Sequence, residues 1–103
     1  MSSKHITVIG SGFAGLSAAC VLAKNGHKVT VLEKNGQPGG RARVWEQDGF
    51  RFDMGPSWYW MPDVFENFFS LFGKTTADYY NLQRLDPGYR IYFDKDENIL
   101  TAS

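Results

Sequence analysis

Three glycines near the amino end of the chain have the spacing of a phosphate-binding loop. Gly10, Gly12 and Gly15 follow a short apolar segment directly. In such a loop the first glycine permits a sharp turn, the second lets a pyrophosphate approach the backbone, and the third lets a helix pack closely on a strand. Backbone N–H groups and the positive end of the helix dipole would then face the phosphates. The pattern therefore predicts a dinucleotide site, and the alternative is a tight turn without a ligand.

An acidic residue follows at the position where such a site requires one. Glu33 ends a β-branched segment, close to the interval of about 20 residues expected after the last glycine. A carboxylate there accepts hydrogen bonds from ribose hydroxyls and repels a 2′-phosphate, which disfavours NADP. The alternative is a solvated acid at the end of a strand.

A second glycine loop lies a few residues further on. Gly39 and Gly40 expose backbone amides, and Arg41 adds a guanidinium that can bind an anion. A second loop beside the first suits an extended dinucleotide with a flavin end. The alternative is a flexible connector with a surface arginine.

The segments around these residues predict a parallel βαβ unit. The predicted elements are a strand over 4–9, a helix over 16–25 with Leu16, Ala19, Cys20 and Ala23 on its inner face, and a strand over 28–32. Cys20 is expected to be an inert core residue.

Asp48-Gly49 predicts a hairpin between strands over 44–47 and 50–52. A two-residue turn pairs Gln47 with Phe50, Glu46 with Arg51, and Trp45 with Phe52. Opposite charges then face each other on one side of the hairpin and aromatic rings on the other. The segment 53–56 is expected to break the second strand.

The remainder of the chain predicts one helix and several short strands. The helix is expected between Pro62 and Gly73, with an apolar stripe along it. The stripe consists of Met61, Val64, Phe65, Phe68, Phe69 and Phe72. It fits a core-packing helix, and it also fits a wall for a lipid substrate or a surface meeting a bilayer, as do the aromatic residues over 58–60. Strands are expected over 81–85, over 89–93 and from 99, with turns over 86–88 and 94–98.

Composition excludes several classes of function. The 103 residues make one domain at most, and the zero formal charge argues against a nucleic-acid partner. One cysteine excludes a disulfide framework, and no metal site is expected. No apolar run approaches the roughly 18 residues that span a membrane, and the short polar amino end is not a secretory signal. No protein partner can be inferred.

The motifs resemble a known family. The runs Val8–Leu16, Val31–Lys34 and Gly39–Arg41 are similar to those of FAD-dependent amine oxidases and desaturases. Within that superfamily, Phe52–Ser57 and Leu85–Arg90 resemble the bacterial-type phytoene desaturases of carotenoid synthesis. The likeness extends from about residue 5 to about residue 98.

The resemblance implies an α/β fold, with a Rossmann-like FAD/NAD(P)-binding βαβ core over 1–57 and the start of a β-rich substrate region over 58–103. It also implies desaturation of a phytoene-like polyene by hydride transfer to FAD. The residues expected to bind FAD are Gly10, Ser11, Gly12, Phe13, Ala14, Gly15, Glu33, Lys34, Gly40, Arg41, Gly55, Pro56 and Ser57. Of these, residues 10–12, 14 and 15 are implied at the pyrophosphate, Glu33 at the adenosine ribose, and residues 55–57 near the flavin ring. No catalytic residue is implied.

Members of this family are several times longer than 103 residues, so the chain is expected to be an amino-terminal fragment that is inactive alone. The resemblance further implies a lipophilic substrate, a cytoplasmic location and peripheral contact with a membrane. Two alternatives are a flavin amine oxidase relative and a non-catalytic nucleotide-binding fragment.

Overall fold

The computed structural model of the chain describes residues 2–93 and 99–102. The chain divides into two compact units, Met1–Pro62 and Asp63–Ser103. The functional boundary expected between residues 57 and 58 stays a prediction, because compactness does not report what a segment binds.

The first unit begins with the expected βαβ arrangement. Strand β1 (His5–Ile9) pairs in parallel with β2 (Lys28–Leu32), and helix α1 (Phe13–Lys24) connects them. The helix begins earlier than predicted because Gly12 is its N-cap, and the Leu16 N–H already donates to the Gly12 carbonyl at 2.9 Å. The Rossmann-like α/β core is therefore confirmed.

The inner face of α1 differs from the predicted one. Its less exposed positions are Gly15, Ser17, Ala19 and Leu22. Of the apolar residues that the structure describes, Ala19 is the one that is buried. Cys20 is exposed, so its assignment to the core was wrong. The cause lies at Gly15, where a Cβ would overlap the Gly10 carbonyl oxygen and lie 3.5 Å from a Val8 methyl group. Because Gly15 has no Cβ, this side of the helix can approach the end of β1 closely, and it therefore faces β1.

The hairpin has the predicted register. Strand β3 (Arg43–Gln47) pairs antiparallel with β4 (Phe50–Met54), and Trp45 lies opposite Phe52 with ring centroids 5.2 Å apart. Positive φ angles at Asp48 (52°) and Gly49 (81°) give the turn that a two-residue hairpin favours. Strand β4 continues through Asp53 and Met54, which were expected to break it, and it ends before Gly55.

The second unit contains one helix, a 3₁₀ turn and a hairpin. Helix α2 (Pro62–Ser70) begins at the predicted proline, and a turn with Gly73 at φ 66° follows it. The 3₁₀ turn covers Thr76–Asp78, and strand β5 (Tyr89–Tyr92) pairs antiparallel with β6 (Ile99–Ala102). The prediction of a strand over 81–85 was wrong. No described strand pairs with this segment, and without a partner strand its backbone N–H and C=O groups cannot form sheet hydrogen bonds. The predicted turn at 94–98 lies outside the described residues.

Part of the aromatic stripe of α2 packs within the second unit. The Phe69 ring stacks on Tyr79 with centroids 5.0 Å apart, and Phe68 lies 5.2 Å from Phe72. Residues 65, 68, 69 and 72 are half-buried, whereas Val64 is 52% exposed. Among the described residues, no helix has the length and apolar character needed to cross a membrane.

Candidate functional site

A cavity of about 850 Å³ opens where β1 ends and α1 begins. In parallel α/β sheets, ligands bind at the carboxyl ends of the strands, where the helix amino terminus also favours negative charge. The residues predicted for FAD that line this cavity are Gly10, Gly12, Phe13, Ala14, Gly15, Gly40, Arg41, Gly55 and Pro56. Three segments that are distant in sequence therefore contribute to one concave surface.

The two glycine loops pack against each other through their backbones. The Gly39 N–H donates to the Ser11 carbonyl at 2.8 Å. Gly40 has φ 62°, and a Cβ there would lie 3.2 Å from the Gly12 Cα, tighter than ordinary contact. The second loop is thus held in place by the first, which argues against the flexible connector. Arg41 itself is exposed at the cavity.

A third segment closes onto the second loop. Gly55 has φ 103°, and a Cβ there would overlap the Arg41 carbonyl oxygen. This approach brings Gly55 and Pro56 to the cavity wall. Ser57, which was predicted beside them, lines neither this cavity nor the second one described next.

A second cavity of about 330 Å³ adjoins the first. The two share Ile9, Gly10, Gly12 and Gly40, and the second also contains Ser11, Glu33, Lys34 and Asn35. The concave surface consequently extends from the helix amino terminus to the predicted ribose acid. This placement brings together the phosphate and ribose halves of the predicted site.

The carboxylate of Glu33 is held by hydrogen bonds from two residues. Its Oε2 accepts from the Ser11 N–H at 2.8 Å and from the Ser11 hydroxyl at 2.6 Å. Its Oε1 accepts from the Asn35 N–H at 2.9 Å and from the Asn35 side-chain amide at 3.1 Å. These bonds, that of the Ser11 hydroxyl first, lower the pKa of Glu33 from 4.5 to about 2. The group is therefore a carboxylate at neutral pH.

Two of these contacts differ from or add to the sequence analysis. Ser11 was expected at the pyrophosphate, but its hydroxyl and its backbone N–H both donate to Glu33, so both of its donors are already engaged by that acid. Asn35 was missed. It could have been predicted from its position two residues after Glu33, because the short side chain of Asn can form hydrogen bonds with residues that close in sequence.

The arrangement can hold an anion next to a diol. Bare glycine backbone and a helix amino terminus suit a diphosphate, whereas a carboxylate suits hydroxyl donors. A Cβ at Gly12 would point into the gap between the loops, 3.9 Å from the Gly40 Cα. The residues present therefore fit the pyrophosphate and ribose of a dinucleotide.

Comparison with known proteins agrees with this geometry. A family profile described as "NAD(P)-binding Rossmann-like domain" matches residues 8–75. The chain is 63% identical over 99 residues to a carotenoid 3,4-desaturase of Haloarcula japonica, covering 96% of this chain and 20% of that protein. It is 48% identical over 94 residues to a 4,4′-diapophytoene desaturase (4,4′-diaponeurosporene-forming) of Staphylococcus aureus, covering 91% and 19%. The chain thus spans about a fifth of the length of these relatives.

Proposed function

The chain belongs to the NAD(P)-binding Rossmann-like family, and from this premise we propose that it is the FAD-binding portion of a carotenoid desaturase. The observation that carries the proposal is the continuous cavity surface from Glu33 to the amino end of α1. That surface offers an acceptor for a ribose diol and backbone donors for a diphosphate in one place.

The preference for FAD rests on the additional loops. A dinucleotide-binding βαβ unit alone does not separate NAD from FAD. Here the loop at Gly39–Arg41 and the segment at Gly55 and Pro56 enlarge the cavity beyond the glycine-rich turn. The carboxylate of Glu33, ionised and close to the predicted ribose position, disfavours a 2′-phosphate and hence NADP.

The chain's own residues would hold and orient the cofactor. Backbone amides over 12–15 would bind the diphosphate, Glu33 the ribose, and the Arg41 guanidinium would balance the phosphate charge. When bound, FAD supplies the capacity to accept a hydride from a substrate C–H bond. We assign no side chain of this chain to acid–base chemistry.

The proposed substrate is a lipophilic polyene of the phytoene type. The relatives described above carry names for carotenoid or diapophytoene desaturation, which favours a polyene over a soluble amine. We also propose a cytoplasmic, peripheral contact with a membrane. Trp58 and Trp60 support it because they are 53% and 66% exposed, and tryptophan favours the membrane–water interface.

Titration of the chain with FAD, NAD⁺ and NADP⁺ tests the cofactor. We expect quenching of flavin fluorescence on binding of FAD, weaker binding of NAD⁺, and the weakest binding of NADP⁺. Tighter binding of NADP⁺ than of FAD would contradict the proposal. The activity is tested with a chimera in which this chain replaces the matching region of the Haloarcula relative. The chimera should desaturate a carotenoid substrate, and a flavin-loaded chimera without this activity would contradict the substrate class.

A further inference from the structure

The hydrogen bonds around Glu33 leave an incoming ligand little free acceptor capacity. A carboxylate has about four lone-pair sites. Within the described residues, four donors already occupy them, two from Ser11 and two from Asn35. A sugar hydroxyl that donates to this carboxylate must therefore share or replace one of these bonds.

The two residues differ in how easily they can release the carboxylate. Ser11 is only 4% exposed, and its backbone is fixed by the bond from Gly39 to its carbonyl. Rotation of its hydroxyl away from Glu33 would leave a buried donor without this partner, which is costly. Asn35 is exposed, and its side-chain bond of 3.1 Å is the longest of the four. Its amide can turn into water, where it is solvated.

We propose that Ser11 is a positioning residue that fixes Oε2 of Glu33, and that the Asn35 side chain is a displaceable cap on Oε1. The ligand that displaces this cap is a nucleotide with free ribose hydroxyls, and this part of the inference rests on the proposed function. Oε1 is therefore the oxygen that receives the sugar, and the side-chain amide of Asn35 competes with the ligand for it.

Two alanine variants separate these roles by the sign of their effect on ADP affinity. Ser11→Ala removes the hydroxyl bond and leaves only the backbone N–H of residue 11 to hold Oε2, so we expect ADP to bind about tenfold more weakly. Asn35→Ala removes the competitor, so we expect ADP to bind about threefold more tightly. With 2′,3′-dideoxy-ADP, which lacks the displacing hydroxyls, the gain in Asn35→Ala should vanish. Weaker ADP binding by Asn35→Ala, or an equal gain with the dideoxy analogue, would overturn the cap.

A second measurement tests Ser11 without any ligand. Carboxyl ¹³C NMR of the free chain follows the titration of Glu33, and we expect Ser11→Ala to raise its midpoint toward 4.5 by more than Asn35→Ala does. Ser11→Cys keeps the shape of the side chain with a slightly larger and weaker donor, so it should give an intermediate midpoint, and it replaces the alanine variant if that one does not fold. Equal midpoints in Ser11→Ala, Ser11→Cys and wild type would overturn the positioning role.

The two measurements also separate this inference from the proposed function. A wild-type chain that does not bind ADP would refute the dinucleotide site, and with it the cap. The NMR titration would still decide the role of Ser11, because it involves no nucleotide.

Discussion

Two glutamates in this chain share one pair of hydrogen bonds but lie in different surroundings. Glu33 accepts from the N–H and hydroxyl of Ser11, and Glu66 accepts from the N–H and hydroxyl of Thr76 at 3.2 and 2.7 Å. Glu33 joins two loops and lines a cavity. Glu66 links α2 to the 3₁₀ turn that follows it. A pair of bonds from the N–H and hydroxyl of one residue therefore does not by itself indicate a binding site.

The neighbours of each pair account for the difference. Beside Glu33 lie glycines without side chains, so space remains for a ligand. In the unit of Glu66, Phe69 on α2 stacks with centroids 5.0 Å apart on Tyr79, the residue that directly follows the 3₁₀ turn containing Thr76. We conclude that the first pair prepares a surface for binding, whereas the second stabilises a local fold.

Gly12→Val is expected to have the largest effect on this contrast. Gly12 has ordinary extended backbone angles, φ −77° and ψ −176°, so valine adds no backbone strain there, and its branches enter the gap toward Gly40. We expect FAD affinity to fall about a hundredfold or more, measured by fluorescence titration. Gly36→Val is the matched control, because a Cβ at Gly36 meets open space. Unchanged FAD affinity in Gly12→Val would show that the diphosphate does not bind beside Gly12.

Glu33→Gln and Glu66→Gln compare the two acids directly. We expect Glu33→Gln to weaken FAD binding about tenfold, because a charged acceptor for the ribose is lost. Glu66→Gln should leave FAD affinity within about twofold, because Glu66 lies outside the residues that line both cavities. Calorimetric titration measures both. Similar losses in the two variants would show that the comparison is wrong.

Thr76→Val should act on stability and not on binding. The substitution keeps the shape and the backbone N–H but removes the hydroxyl bond to Glu66. We expect the free energy of unfolding of the second unit to fall by about 1 kcal/mol, measured by urea denaturation followed through the amide NMR signals of residues 63–93. FAD affinity should not change. A loss of FAD affinity in Thr76→Val would contradict this prediction, because it would show that Thr76 contributes to cofactor binding.

The smallest expected effect is that of moderate acid on Glu33. Its folded pKa of about 2 lies below the ordinary 4.5, so its contribution to stability is present above pH 4.5 and disappears as the pH falls toward 2. The ratio of FAD affinities of wild type and Glu33→Gln should therefore change less than about twofold between pH 7 and pH 4. A ratio that collapses by pH 4 would indicate an ordinary carboxyl group.

Local patterns predicted much of this structure. The glycine spacing, the strand-end acid and the Asp48-Gly49 turn each constrain a few adjacent residues, and the βαβ unit and the hairpin register follow from them. The inner face of α1 did not follow, because the contact of Gly15 with the Gly10 carbonyl, and not the apolar pattern, sets the rotation of the helix. The strand expected over 81–85 failed for a related reason: its β-like composition specifies no pairing partner.

The candidate site was predictable in its residues but not in its bonding. Sequence spacing placed Glu33 beside the glycine loop. It did not show that Ser11 turns its hydroxyl to that acid or that Asn35 occupies the other oxygen, because both bonds depend on how the loops pack.

Backbone amide NMR of the ¹⁵N-labelled chain during addition of FAD tests the central claim most directly. The account predicts the largest shift changes at Gly12, Ala14, Gly40 and Glu33, with small changes over 63–93. Shift changes concentrated in 63–93, or none at the glycine loops when FAD is in excess, would contradict it.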